Sequence, residues 1–254
     1  MKYLIDLDGT ILNGEMAINS SVVFINELQN KKIEFLIMTN SIKSPKLIQD
    51  RLKNVGIIIS TTQIFNPIIA INSYLEQNNI QKVYVIGSQL EIDQILMQQD
   101  KLNPQIIIIL DFEKNNISYN SLQEAFVLMQ QKIPVIAASG SGYYLKNNIK
   151  YLDTGSFVTL FEKAANIKIP IIGKPSKEYF NAGISILKTN PSNIVVIGDD
   201  WMTDIDGAKK VGCNSILVKS GKYVDGDEFK SKPNKIVSNL SEIFTQKNNK
   251  KEDF

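Results

Sequence analysis

The feature that most constrains this chain is an alternation of short, β-branched apolar segments with segments of helical periodicity along most of its length. The apolar segments predict strands at residues 3–7, 33–38, 82–86, 105–110, 134–137, 169–172, 194–197 and 215–218. Most of them are continuously apolar, which is typical of parallel strands that are covered on both faces. The pattern therefore predicts an α/β fold with a doubly wound, mostly parallel core sheet. In such sheets, ligands bind beyond the carboxyl ends of the strands.

The composition excludes several kinds of catalytic site. The 254 residues include no histidine, which rules out a Ser-His-Asp triad and any His-ligated metal site. Cys213 is the single cysteine, so neither an internal disulfide nor a cysteine metal cluster can form. Any catalysis must therefore depend on carboxylates, lysine, hydroxyls, backbone groups and an oxygen-preferring cation.

Charge and hydropathy limit the partners and the cellular location that we expect for the protein. The formal net charge of +2 is too small to suggest a nucleic-acid partner. No apolar segment approaches the roughly 18 residues of a membrane span. The first predicted strand begins at Tyr3 and leaves no room for a signal peptide, so we expect a cytoplasmic protein with no membrane partner.

The middle of the chain is predicted to form a separate domain. Asn78-Asn79 and residues 166–168 are candidate joints, and the strands and helices between them suffice for a small domain. This predicts a discontinuous core, residues 1–79 and 169–254, with an inserted α/β domain at 80–168. Two helix starts are also predicted, with Ser20 and Ser176 as N-caps.

Two acidic motifs follow predicted strands. Asp6 and Asp8 lie in DLDGT, and strand alternation places both carboxylates on the same side of an extended segment. Carboxylates this close repel each other, and a buried pair needs a cation or a shared proton. Asp199, Asp200 and Asp204 lie in GDDWMTDI, where three carboxylates in six residues indicate a hard-cation site. The alternatives are a turn with solvated acids for the first motif and an acidic helix start for the second.

Two further motifs are weaker individually. Thr39-Asn40-Ser41 follows the strand IEFLIM, where a hydroxyl and backbone N–H groups can hold phosphate oxygens, although TNS is also an ordinary turn. Lys174, in Gly173-Lys174-Pro175-Ser176, follows the strand IPII and is by itself equally consistent with a surface charge. The order of the four motifs is more informative than any one of them.

Together, DLDGT, TN, GKPS and GDDWMTDI resemble the four motifs of the haloacid dehalogenase (HAD) superfamily of phosphohydrolases. The length between TN and GKPS resembles the NagD-like and p-nitrophenylphosphatase branch, in which the insert is an α/β cap over a Rossmann-like core. The resemblance implies a magnesium-dependent phosphatase that hydrolyses small phosphomonoesters through an aspartyl phosphate. The implied partner is a small phosphorylated metabolite, and caps of this branch also imply a homodimer by analogy.

The resemblance also implies residue roles. Asp6 would be the nucleophile and Asp8 the general acid and base. Asp6, the backbone carbonyl of Asp8, and Asp199 would hold Mg²⁺. The phosphoryl oxygens would contact Thr39, Asn40 and Lys174, and the metal waters and Lys174 would be fixed by Asp200 and Asp204.

One segment departs from the family pattern. Where related proteins read Asn-Pro-Asp at the end of a cap strand, this chain reads Ser139-Gly140-Ser141-Gly142, so substrate preference cannot be carried over. Two other functions compete: a receiver-like domain that retains its phosphoaspartate, and a binding protein with an inactive site. Asp8 favours turnover over the receiver, and the complete set of required groups argues against the inactive site.

Overall fold

The computed structural model describes residues 1–18, 20–111, 118–146 and 149–245. The strands are β1 Lys2–Ile5, β2 Leu12–Asn13, β3 Met16–Ala17, β4 Phe35–Met38, β5 Ile64–Phe65, β6 Lys82–Ile86, β7 Gln98–Gln99, β8 Ile106–Ile109, β9 Val135–Ala137, β10 Tyr143–Lys146, β11 Ile149–Leu152, β12 Ile194–Gly198, β13 Asn214–Val218 and β14 Lys235–Val237. The helices are α1 Ser21–Asn30, α2 Pro45–Asn54, α3 Pro67–Gln77, α4 Gln89–Ile92, α5 Tyr119–Gln130, α6 Thr154–Ala165, α7 Lys177–Leu187, α8 Asp206–Lys210, α9 Asp227–Ser231 and α10 Glu242–Thr245.

The described residues form two compact units, each with its own sheet. One unit contains residues 1–39, 45–65 and 180–254, and the other contains 40–44 and 66–179. The domain boundaries expected from the sequence, an insert at residues 80–168, stay a prediction.

The first unit is organised around a six-stranded sheet in the order β14-β13-β12-β1-β4-β5. Every pairing in it is parallel, and β1 lies between β12 and β4, with Ile5 opposite both Ile197 and Ile37. The strands β1, β4 and β12 are buried almost throughout because helices cover both faces of a doubly wound sheet. The predicted α/β fold class is confirmed. Because β1 and β12 are adjacent and parallel, the residues that follow them meet at one edge of the sheet.

The second unit contains a four-stranded parallel sheet in the order β7-β6-β8-β9 and the antiparallel hairpin β10–β11. Its core combines the isoleucines of β8 with apolar side chains of α5 and α6, among them Leu128 and Phe161. Within the described ranges, every helix is too short or too polar to cross a lipid bilayer.

Two local predictions were wrong and one was confirmed. Residues 169–172 form no strand. They make only a bridge between Ile171 and Ala137, because the chain turns into the Gly173 loop directly afterwards. Ser20 does not cap α1 with its side chain. Its backbone has a positive φ of 70°, and its hydroxyl accepts the Ser241 N–H instead. Ser176 does cap α7, since its hydroxyl accepts the Tyr179 N–H at 3.3 Å.

Candidate active site

Three carboxylates meet at the carboxyl edge of the six-stranded sheet. Asp6 directly follows β1, and its backbone N–H donates to Ile197 O at 2.9 Å. Asp199 directly follows β12, the neighbouring strand. One carboxylate oxygen each from Asp6, Asp199 and Asp204 lies within 4.8 Å of the others. The adjacent parallel strands thus bring together residues from opposite ends of the sequence.

Asp204 reaches this group through a tight turn. Residues Trp201–Ile205 form one π-helical turn, capped by Asp200, whose carboxylate accepts the Met202 N–H at 2.9 Å. The turn folds Asp204 back towards β12, so that its Oδ2 accepts the Asp200 N–H at 3.3 Å. The sequence-based prediction gave Asp204 an outer role. The structure places its carboxylate beside those of Asp6 and Asp199.

The electrostatics of this carboxylate cluster favour a bound cation. Asp6, Asp199 and Asp204 are 6%, 1% and 1% exposed. Burial first, and then the charges of Asp6 and Asp204, raise the pKa of Asp199 well above its usual range. Buried carboxylates that repel in this way are stabilised by a cation, and an all-oxygen set suits a hard divalent ion. The residues present therefore fit the metal that the family motifs imply.

The Asp199 carboxylate is held on several sides. Thr10 Oγ1 donates to Oδ1 at 2.9 Å, and the Lys222 backbone N–H donates to Oδ2 at 2.6 Å. Gly9, at φ +105°, and Gly221, at φ +52°, lie so close that a Cβ at either position would collide with this carboxylate. These glycines permit a backbone approach that no other residue allows. The cluster is rigidly positioned as a result.

Asp200 points to a different partner. Its Oδ2 lies 3.3 Å from Nζ of Lys222, and both side chains are largely buried. Burial raises the pKa of Asp200, but Lys222 and two backbone N–H groups outweigh it, so the pKa is lowered. Burial lowers the pKa of Lys222, but Asp200, Asp199 and Asp6 outweigh it, so the pKa is raised. The structure thus places a charged ammonium beside the acidic cluster.

Asp8 lies outside the buried cluster. Its side chain is 45% exposed, and its Oδ1 accepts from Nη2 of Arg51 at 2.9 Å. The chain turns sharply after it, since Gly9 N–H donates to Leu12 O at 2.7 Å and the short hairpin β2–β3 follows. Asp8 is therefore accessible to solvent while Asp6, two residues earlier, is not.

The remaining predicted residues are Thr39, Asn40 and Lys174. Thr39 follows β4, is buried and donates its N–H to Phe65 O at 3.2 Å. Asn40 and Lys174 are joined by two hydrogen bonds: Lys174 N–H donates to Asn40 Oδ1 at 2.7 Å, and Asn40 Nδ2 donates to Lys174 O at 3.1 Å. Lys174 is only 3% exposed, so the alternative of a surface charge is wrong. The roles of these three residues in binding phosphate stay predictions.

Three contributors were missed in the sequence: Thr10, Ser220 and Lys222. Thr10 belongs to DLDGT but was assigned no contact. Ser220, whose hydroxyl donates to Gly9 O at 2.7 Å, and Lys222 follow β13. The rule that ligands bind beyond the carboxyl ends of strands would have drawn attention to this loop.

Comparison with known proteins identifies the family of this chain. Residues 3–100 match the family described as haloacid dehalogenase-like hydrolase, and residues 171–243 match the family described as HAD-hydrolase-like. The haloacid dehalogenase-like hydrolase domain-containing protein 2 of Mus musculus is 30% identical, over 91% of this chain and 88% of its own length. The chain therefore belongs to the haloacid dehalogenase-like hydrolases.

Further similarities are to proteins named as phosphatases and to NagD. The phospholysine phosphohistidine inorganic pyrophosphate phosphatase of Homo sapiens is 31% identical, over 94% of this chain and 91% of its own. Two solved structures share the fold: a p-nitrophenyl phosphatase from Archaeoglobus fulgidus, with TM-score 0.89 and 18% identity, and NagD from E. coli K-12, with TM-score 0.87 and 20% identity. Each similarity covers 95% of this chain and 97% of the other. The chain therefore has the fold of NagD and of this p-nitrophenyl phosphatase.

Proposed function

We propose that this hydrolase is a phosphatase that hydrolyses small phosphomonoesters with the help of Mg²⁺, through a phosphoaspartate at Asp6. The observation that carries the proposal is the buried cluster of Asp6, Asp199 and Asp204 at the carboxyl edge of the sheet. One of these carboxylates must act as nucleophile, and Asp6 occupies the first position of the DLDGT motif. The family motifs and the phosphatase relatives support this assignment.

The cation would be held by Asp6, the backbone carbonyl of Asp8, and Asp199, with Asp204 beside them. A bound divalent ion offsets the repulsion between an anionic nucleophile and a phosphate dianion. At 4 Å, a pair of unit charges repels by about 4 kcal/mol at an effective dielectric of 20, so attack without compensating charge is implausible.

The chain's own residues perform the two chemical steps. An Asp6 carboxylate oxygen bonds to phosphorus while the bond to the leaving oxygen breaks, and the proton of the Asp8 carboxyl group moves to that oxygen. Asp8, now a carboxylate, takes a proton from a water molecule whose oxygen attacks phosphorus. The bond between phosphorus and Asp6 then breaks, and inorganic phosphate leaves. Thr39, the Asn40 amide and Lys174 are proposed to hold the phosphoryl oxygens in both steps.

Phosphate release and phosphoenzyme mass together test this proposal. The wild type should release inorganic phosphate from small phosphomonoesters when Mg²⁺ is present and not when it is chelated. The panel includes sugar phosphates, nucleotides, phosphoglycolate and pyridoxal phosphate, with pyrophosphate and phospholysine added because of the human relative's name. Asp8→Asn should accumulate a protein heavier by one phosphoryl group, mapped to Asp6 by mass spectrometry.

The controls separate the competing functions. Asp50→Asn removes an exposed carboxylate that pairs with Lys46 of the same helix, and it should leave phosphate release unchanged. A wild-type phosphoaspartate that lasts for hours would instead support a receiver-like function. Wild-type protein that releases no phosphate from any compound in the panel would contradict the proposal.

A further inference from the structure

Arg51 is the only arginine among the 28 basic residues of the chain, and it lies against the proposed acid-base residue. It belongs to the last turn of α2, whose other basic residue is Lys53. Its side chain is only 13% exposed. A buried guanidinium is energetically costly unless its donors are satisfied by fixed partners, so its contacts indicate what it does there.

Those contacts join the turn after β1 to the hairpin β2–β3. Nη2 donates to Asp8 Oδ1 at 2.9 Å and to the backbone carbonyl of Gly14 at 2.9 Å. Nε lies 3.4 Å from Oε1 of Glu15. One donor atom thus connects a half-exposed carboxylate to a backbone carbonyl in the hairpin turn. Because a backbone carbonyl cannot rotate as a side chain does, this bond fixes the position of the guanidinium.

The Arg51 side chain stays positively charged. Burial lowers its pKa, but Asp8 and Glu15 outweigh this effect and the pKa of Arg51 is raised. The group therefore remains a cation at any pH at which the enzyme works. A lysine at this position would keep the charge but would lose the planar set of donors.

We propose that Arg51 is a positioning residue for Asp8 in the phosphatase reaction. It holds Oδ1 against the hairpin, which leaves Oδ2 as the oxygen that gives the proton to the leaving group and later takes one from water. The inference rests on the proposed function, because it presumes that Asp8 is the general acid and base. Without Arg51, the half-exposed Asp8 side chain is free to adopt other rotamers, and the proton donor is in place for a smaller part of the time.

Leaving-group dependence distinguishes positioning from a purely structural role. An alkyl phosphate needs a proton on its leaving oxygen, whereas p-nitrophenolate leaves without one. Arg51→Met should therefore lower the rate constant for phosphorylation of Asp6 by an alkyl phosphate, measured in a single turnover, roughly 10- to 100-fold, the scale of a misplaced catalytic group. For p-nitrophenyl phosphate, the same rate constant should fall less than about threefold. The kcat values do not separate the two cases, because they include the later hydrolysis of the phosphoaspartate through Asp8. Lys46→Met, which removes an exposed cation from the same helix, is the matched control and should change neither rate constant.

Two further variants make the test decisive. Arg51→Lys should restore part of the lost rate on the alkyl phosphate, and it carries the same comparison if Arg51→Met does not fold. In the Asp8→Asn background, Arg51→Met should cause no further loss that depends on the leaving group, because residues that act as a unit are not additive.

Two results would contradict the positioning role of Arg51. Equal losses in the phosphorylation rate constant on both substrates, or an undiminished leaving-group effect in the Asp8→Asn background, would show that Arg51 does not act through Asp8. Those results require an active wild type. A wild type that hydrolyses neither ester would overturn the proposed function itself, and the positioning role with it.

Discussion

Neutralising Asp199 should stabilise the metal-free protein and remove its stabilisation by Mg²⁺. The oxygens of Asp6, Asp199 and Asp204 lie within 4.8 Å of one another. Two full charges at that distance repel by about 3.5 kcal/mol at an effective dielectric of 20. The raised pKa of Asp199 already relieves part of this repulsion by protonation, so we expect Asp199→Asn to gain about 1–3 kcal/mol without metal.

The local hydrogen bonds allow an asparagine at this position. The amide oxygen can accept the Lys222 backbone N–H in place of Oδ2, and the amide nitrogen can donate to Thr10 Oγ1, because a hydroxyl both donates and accepts. The substitution therefore removes a charge while both hydrogen-bond contacts of this side chain can be kept.

Thermal unfolding in chelator and in Mg²⁺ measures both effects. Each kcal/mol should move the midpoint by about 2–4 °C in a protein of this size. Mg²⁺ at one hundred times its dissociation constant should stabilise the wild type by about 2.7 kcal/mol and should not stabilise Asp199→Asn.

The pH dependence gives an independent check. A carboxyl group with a raised pKa in the folded state binds more protons folded than unfolded. Metal-free wild type should therefore lose stability as the pH rises from about 4 through the raised pKa of Asp199, and this contribution should be absent in Asp199→Asn. A variant that is less stable than wild type without metal, and that still responds to Mg²⁺ as wild type does, would refute the reasoning.

Four further outcomes are expected. Asp6→Asn should abolish turnover with an unchanged circular dichroism spectrum, because an amide is a poor nucleophile, and activity within tenfold of wild type would reject the assignment. Asp8→Asn should slow the phosphorylation of Asp6 by alkyl phosphates more than its phosphorylation by p-nitrophenyl phosphate, and equal losses in this step would argue against Asp8 as the acid. Calcium should bind in competition with Mg²⁺ and inhibit phosphate release, since its larger and looser coordination shell aligns the reactants poorly; activation would contradict this. Replacing residues 80–168 with a short Gly/Ser linker should leave a folded core, because all six strands of the larger sheet lie outside that segment. This variant should hydrolyse p-nitrophenyl phosphate weakly and without substrate discrimination, and an unfolded product would place the segment in the core.

The sequence predicted the fold best where strands are long and apolar. The predicted strand at 194–197 is β12, which extends one residue further. Four consecutive β-branched apolar residues followed by a glycine favour a strand over a helix. β5 and β14 were missed because segments of two and three residues are too short to show a pattern. Residues 169–172 are as apolar as a strand, but they pair through a single bridge.

Parts of the candidate site could be predicted and parts could not. Asp6 and Asp199 were expected together because both follow strands, and parallel strands end at one edge of a sheet. The motif GDDWMTDI allows Asp199 and Asp204 to reach the same place through a tight turn. It does not show that Asp200 faces Lys222, since this depends on a π-helical turn. The contact of Arg51 with Asp8 could not be predicted, because it is tertiary and leaves no local periodicity.

The position of β1 between β4 and β12 also has a consequence for the newly made chain. Thr10 and Asp199, which are hydrogen-bonded in the site, are 189 positions apart. At about 5–20 residues per second, the ribosome needs roughly 10–40 s to synthesise the segment between them. During that time β1 can pair with β4 but has no β12 beside it, so one edge of a buried apolar strand is open to other chains. A chaperone that binds the nascent chain in this interval therefore meets an unpaired strand edge next to a site that cannot yet hold a cation.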